Sequence, residues 1–226
     1  MPDDVDPAPL DATEFVRAHT TIAPVPFVEE LRLHQASDPF LLWETTERDL
    51  TMRGIALPYW AFPWAGGTAL AAYLLDHPHE VQGRRVLDLA TGSGLVAIAA
   101  ARAGAAEVIA NDIDPIALAA VDLNAALNGV TLRAITADLL DTPDHPALAD
   151  IQVALAGDVA YERPMAGRLF AFLTTLAARG VTVLIGDPDR AYLPTGLERV
   201  ATYDIPVPRT LEATDMKPTT IWRLRP

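Results

Sequence analysis

The chain has 226 residues, half of them apolar, enough to build one large α/β domain with a substantial core. Its formal net charge of −13, with Lys217 the only lysine, opposes binding to phosphate backbones, so nucleic acid is not an expected partner. There are no cysteines, which excludes disulfides, Cys-based zinc sites and thiol nucleophiles.

The start, MPDDVDPAPLDATEF, is acidic and Pro-rich and lacks the basic and apolar regions of a signal peptide. No apolar run approaches the roughly 18–20 residues that cross a bilayer, so no membrane partner and a cytoplasmic location are expected. Residues 1–12 read as a disordered tail. Residues 13–57, with apolar clusters at Val25–Val28 and Phe40–Trp43, read as an extension packing on a main domain at 58–226. From Gly66 the pattern sharpens. GGTALAAYLLDHP places Leu70, Tyr73 and Leu74 at helical spacing before Pro78. Arg85–Leu89 reads as a strand, Leu95–Ala103 as a helix ended by Gly104, and Glu107–Asn111 as a second strand. In DPIALAAVDLNAALNG, Asp114 caps a helix and Pro115 suits its first turn. Ile116, Ala120, Leu123 and Leu127 share a face, and Asn128-Gly129 ends it. Strands follow at Leu132–Ala137, Ile151–Ala156 and Val181–Gly186, with a helix at Ala166–Ala178; two further β-rich segments, VATYDIPVP and TTIWRLRP, close the chain. The alternation predicts an α/β fold: a doubly wound, mostly parallel seven-stranded sheet whose last two strands, lacking a crossover helix, pair antiparallel.

The first strand runs into a glycine turn, VLDLATGSGLVAIAAARAG, where Gly92 and Gly94 formally satisfy a dinucleotide fingerprint. Such a turn holds a phosphate or a nucleoside, or only lets strand and helix pack closely. Asp88, four residues before Gly92, would repel a pyrophosphate and attract an ammonium group. Asp112 ends the next strand, where an acid accepts both hydroxyls of a ribose. Asp138, after the third strand, fits either an exocyclic amine of adenine or a cap or loop role. An amino acid, a ribose and an adenine in one crevice describe S-adenosylmethionine. The five histidines show no metal-ligand spacing.

VLDLATGSG, ANDIDP and TADLL resemble the motifs of class I seven-strand methyltransferases. Ala90 stands where that family's turn has its first glycine, which is compatible with a negative φ there. The resemblance implies a cofactor site formed by Asp88, Ala90, Thr91, Gly92 and Gly94, together with Asp112, Ile113 and Asp138. PYWAFPWAGGTALAAYLLDHP, GDVAYE and VLIGDPDRAYLP are similar to the lysine methyltransferases of the electron-transfer flavoprotein β subunit. That likeness implies a protein substrate, with acceptor lysines beside the subunit's recognition loop. It also implies catalytic roles for Asp158, orienting the acceptor nitrogen, and Tyr161, walling its channel. The plain reading is that Asp158 ends a strand and Tyr161 packs in the core. Trp60 and Trp64 either line the cofactor pocket or form a hydrophobic lid. Other readings are a class I methyltransferase for another protein or a small molecule, a binding module without turnover, and an NAD-dependent oxidoreductase, which Asp88 disfavours.

Overall fold

Adjacent residues of each central strand turn to opposite faces, and the strands here are apolar on both, which is the requirement for a sheet covered by helices on two sides. The computed structural model describes residues 11–44, 46, 57–142, 144–207 and 214–225. The parallel strands are β3 (Arg85–Leu89), β4 (Glu107–Asp112), β5 (Arg133–Thr136), β6 (Val153–Gly157) and β7 (Thr182–Asp187). They join β8 (Glu198–Pro206) and β9 (Met216–Leu224) in the order β5-β4-β3-β6-β7-β9-β8, with β9 antiparallel to both of its neighbours. The fold class read from the sequence is therefore observed. Val86, Val108, Val153 and Leu184 face a core closed by α2 (Ala65–Asp76) and α3 (Leu95–Arg102). Their neighbours Leu87, Ile109, Ala154 and Ile185 face a second core under α5 (Arg163–Ala178). The strand order reverses between β3 and β6, which opens a crevice at their carboxyl ends.

Residues 1–10 of the expected tail lie outside the described residues, but the tail reading is overturned at its end. Asp11 accepts from Glu14 N at 3.0 Å and caps α1 (Ala12–His19). An unannounced hairpin follows, β1 (Thr20–Val25) and β2 (Val28–Ala36), turning at Phe27 with φ 73°. Val25, Val28, Leu31 and Leu33 bury against α2 and α3.

The helix α4 (Pro115–Leu127) starts at Asp114, which accepts from Ile116 N at 2.8 Å, as its sequence requires. Its buried face is broader than the expected stripe. Ile116, Ala117, Ala120, Val121, Asn124 and Ala125 are inside, while Leu123, packed at the edge of the cluster that α1 closes, and Leu127 are only half-buried. Asn124 and Asn128 serve as brackets. Asn128 exchanges hydrogen bonds with the backbone of Arg32, accepting from its N–H at 3.1 Å and donating to its carbonyl at 2.7 Å. Asn124 accepts from His34 N at 2.8 Å and donates to the Ser93 carbonyl at 2.8 Å. The hairpin is thus tied through one side chain to the glycine turn.

Candidate active site

The crevice at the carboxyl ends of β3, β4 and β6 holds a cavity of about 420 Å³, within the range of small-molecule sites. Asp88, Asp112, Asp138 and Asp158 all line it together with the helix cap Asp114, so five carboxylates meet in one recess.

The turn after β3 is built from left-handed residues: Ala90 at φ 54°, Gly92 at φ 54° and Gly94 at φ 80°. The expectation of a negative φ at Ala90 is therefore wrong. The strand must reverse sharply into α3, and the close packing on α4 overrides the side chain's own preference. Asp88 is buried, and one carboxylate oxygen accepts from the Thr91 hydroxyl at 2.5 Å and from Ala97 N at 3.0 Å. Burial pushes Asp88 up to about 7, against these two donors. Asp112 accepts from Gly92 N at 2.9 Å and Asp114 N at 3.1 Å, and burial raises it as well. Two N–H groups of the turn and helix start are thus already given to protein carboxylates, an arrangement that disfavours a phosphate. A carboxylate has about four acceptor positions, so Asp112 keeps capacity for a diol. Ile113 stands at the rim, 69% exposed. Asp138 accepts from Leu140 N at 3.1 Å and pairs at 2.8 Å with Arg168, which also reaches Asp141. Both the cavity-lining and the loop role of Asp138 are therefore present. Asn111 donates to the Ile135 and Ala137 carbonyls at 2.9 Å and holds that loop in place, a role no local motif announced.

Trp60 is 1% exposed and packs edge-on to Phe15, while Trp64 donates from its indole N–H to the Tyr59 carbonyl at 2.8 Å. Both also line the cavity, so lid and lining are the same residues.

Asp158 follows β6 at φ 57°, and its N–H donates to the Gly186 carbonyl at 2.9 Å. Its buried carboxylate accepts from Gly67 N at 2.8 Å through Oδ2. Through Oδ1 it accepts from Arg190, at 2.9 Å from Nη2 and 3.3 Å from Nε. Burial raises its pKa, and Arg190 pulls it back. Gly67 lies in the first turn of α2, so the positive end of that helix also faces the carboxylate. Asp187, at the end of β7, is fully buried and accepts from Arg190 N at 2.7 Å. Its other oxygen, Oδ2, has no hydrogen-bond partner, and burial pushes Asp187 up to about 6. Tyr161 is 38% exposed and meets Tyr59 with ring centroids 5.2 Å apart. It lines the cavity and does not sit in the core. Arg190, Gly67 and Tyr59 were not singled out from sequence. Arg190 is 32 residues from its partner, and only the fold brings them together. Among the described residues no cluster of His, Asp or Glu is disposed to hold a metal ion, and no helix is long and apolar enough to cross a membrane.

A model of the ribosomal protein L11 methyltransferase family matches residues 66–157, the stretch from α2 to the end of β6. The electron transfer flavoprotein beta subunit lysine methyltransferase of Rattus norvegicus is 38% identical over 176 residues, covering 75% of this chain and 68% of the rat protein. The Xenopus laevis protein of the same name is 34% identical over 98% of this chain and 92% of its own length. Among solved structures, a candidate RNA methyltransferase from Pyrococcus horikoshii superposes with a TM-score of 0.51 at 14% identity. It covers 70% of this chain and 82% of that one, a likeness of fold.

Proposed function

Because the chain belongs to the family of electron-transfer flavoprotein β-subunit lysine methyltransferases, we propose that it transfers methyl groups from S-adenosylmethionine to lysines of that subunit. The cofactor would supply a methyl group already activated on a sulfonium. The protein's task is then to place the acceptor in line with it and to exclude water. The residues fit such a ligand. Asp112 keeps acceptor capacity for the ribose hydroxyls, and Asp88 sets a buried carboxyl, negative above about pH 7, beside the turn where the cofactor's ammonium would lie. Asp138 is available to an adenine amine, and Trp60 and Ile113 supply apolar wall. Thr91 and the left-handed backbone at Ala90, Gly92 and Gly94 shape the floor.

The observation that carries the reading is Asp158. A buried carboxylate lines the same crevice as the cofactor acids, beside an aromatic mouth formed by Tyr59, Trp64 and Tyr161. On this reading it accepts an N–H of an entering lysine while Tyr161 confines the methylene stem. The chain's net charge of −13 favours approach to a basic surface, an attraction that weakens with salt. The test is incubation of purified flavoprotein with the enzyme and labelled methyl donor. Label is expected on β-subunit lysines near the recognition loop, at a rate that falls as salt rises. An unlabelled β subunit beside another labelled protein in lysate would move the assignment to a methyltransferase of different substrate.

A further inference from the structure

Methyl transfer to lysine carries a conflict that the site must resolve. A carboxylate beside the amine orients it but also stabilises the ammonium form, by roughly one to three pKa units for an opposite charge at close range. An ammonium has no lone pair and cannot attack. It must first lose one proton to solvent; the nitrogen pair then forms the N–C bond while sulfur keeps the electrons of the C–S bond.

Asp158 does not meet the crevice as a lone charge. Both Arg190 contacts, from Nη2 and Nε, fall on its Oδ1, and Gly67 N donates to Oδ2. The Gly66 N–H adds to these donors, so the carboxylate is compensated on both oxygens before any acceptor arrives. Arg190 is itself held in position. Its backbone N–H is bonded to Asp187 at 2.7 Å, and its guanidinium lies 6.0 Å over the Trp64 ring. Guanidinium stays charged at every working pH. We propose that Arg190 is a positioning residue that keeps Asp158 charge-compensated, so that the acceptor lysine is oriented by Asp158 yet held as the neutral amine. The proposal rests on the reading of Asp158 as the acceptor's partner.

Other charged groups face this pair. Asp187 and Asp189 flank it from the end of β7 and the loop that follows, and Glu162 stands at the start of α5. Tyr59 and Tyr161 also feel the guanidinium, but burial raises both phenols and they remain neutral. Asp187, pushed up to about 6 by burial, adds negative charge only above that pH, and it is not among the residues that line the cavity. Arg190 is thus the positive charge that this acidic corner places against the acceptor's carboxylate.

Two measurements test the proposal. The first is the pH dependence of kcat at saturating cofactor for the wild type, Arg190→Gln and Arg190→Lys. The acid limb should move up by about one pH unit in Arg190→Gln, giving about a tenfold loss at pH 7 that recovers in alkali. Cofactor affinity should stay unchanged, and Arg190→Lys should return the limb close to its wild-type position. A uniform fall at every pH, with no shift of the limb, would mean that Arg190 only props Asp158 and would overturn the proposal. The second uses the unmodified enzyme and so does not depend on a variant folding. Calorimetry of a lysine-containing β-subunit peptide binding to the enzyme with S-adenosylhomocysteine, in buffers of different ionisation enthalpy, should show about one proton released per lysine bound near pH 8, below the ordinary lysine value. Binding without proton release would overturn it. An Asp158→Asn enzyme with wild-type turnover would instead remove the role of Asp158 itself. An inactive Asp158→Asn enzyme with an unmoved limb in Arg190→Gln would remove only the role of Arg190.

Discussion

Gly66 and Gly186 meet backbone to backbone where α2 begins and β7 ends, so that a Cβ on either would collide with the carbonyl oxygen of the other. The same Cβ on Gly66 would lie 2.6 Å from the Asp158 carboxylate. Gly66→Ala must therefore push the first turn of α2 off the sheet, and we expect a loss of about 3 kcal/mol or more, or failure to fold. Gly67→Ala should behave oppositely. Its Cβ would sit 3.7 Å from Val96 Cγ2, an ordinary contact, and alanine gains up to about 1 kcal/mol of helix propensity over glycine. Thermal melts of the two variants should thus diverge although the residues are neighbours.

Ala90 pays for its left-handed backbone at φ 54° with a clash between Cβ and the following carbonyl. Replacement by glycine removes that clash and should raise stability by about 1 kcal/mol, less the extra freedom glycine gives the unfolded chain. Chemical denaturation at constant m-value would read this. A lower midpoint would show that the Ala90 methyl makes a packing contribution larger than the strain.

If Asp112 accepts the ribose hydroxyls as proposed, Asp112→Ala should weaken the binding of S-adenosylmethionine by about 1–3 kcal/mol, that is roughly 5- to 150-fold, since the Gly92 N–H loses its acceptor as well. Titration calorimetry with the cofactor or its demethylated product measures it. Asp158→Asn should bind within about twofold of the wild type in the same experiment while losing on the order of 10²-fold in kcat. Equal affinity of Asp112→Ala and wild type would remove Asp112 from the site.

Asp88 makes stability depend on pH in a defined direction. Its pKa rises from the ordinary 3.8 to about 7 on folding, so between those values the folded chain keeps a proton that the unfolded chain has released. This contribution is fully present below pH 4 and is lost as pH rises through 7, at a slope of at most about 1.4 kcal/mol per pH unit for one proton. Denaturant midpoints measured from pH 5 to 8 should fall more steeply for wild type than for Asp88→Asn, which can still accept from Thr91 and Ala97. Parallel curves would mean that Asp88 is ionised throughout.

What could be read in advance was whatever the chain announces locally. Asp114-Pro115 and Asn128-Gly129 mark both ends of α4, and the apolar pentads of the central strands with helices between them dictate the covered parallel sheet. The acids Asp88, Asp112 and Asp158 could be placed because each ends a strand, and strand ends in such a sheet converge on one crevice. The hairpin was not seen. Pro24, Pro26 and Phe27 break up the apolar pattern, and only Leu31 and Leu33 in β2 alternate clearly. The conformation of Ala90 was misjudged because residue type is a weak guide where three packed elements fix the backbone. Arg190 and Asn124 were invisible for a different reason. Their partners, Asp158 and His34, lie 32 and 90 residues away, and no local signal encodes a contact of that kind.

The brackets that Asn128 and Asn124 place on β2 have a consequence for how this protein meets other chains. A two-stranded ribbon normally offers unpaired amides along both edges, a template for strand addition and aggregation. Here the backbone of Arg32 is matched by an asparagine side chain that imitates a neighbouring strand, donating and accepting at once, and the amide of His34 is taken next to it. On the opposite edge, Pro24 has no N–H to offer, and its carbonyl is occupied by the Gln35 side chain at 3.0 Å. The ribbon is closed at its middle on both sides, so a stray extended peptide finds no ladder there to extend.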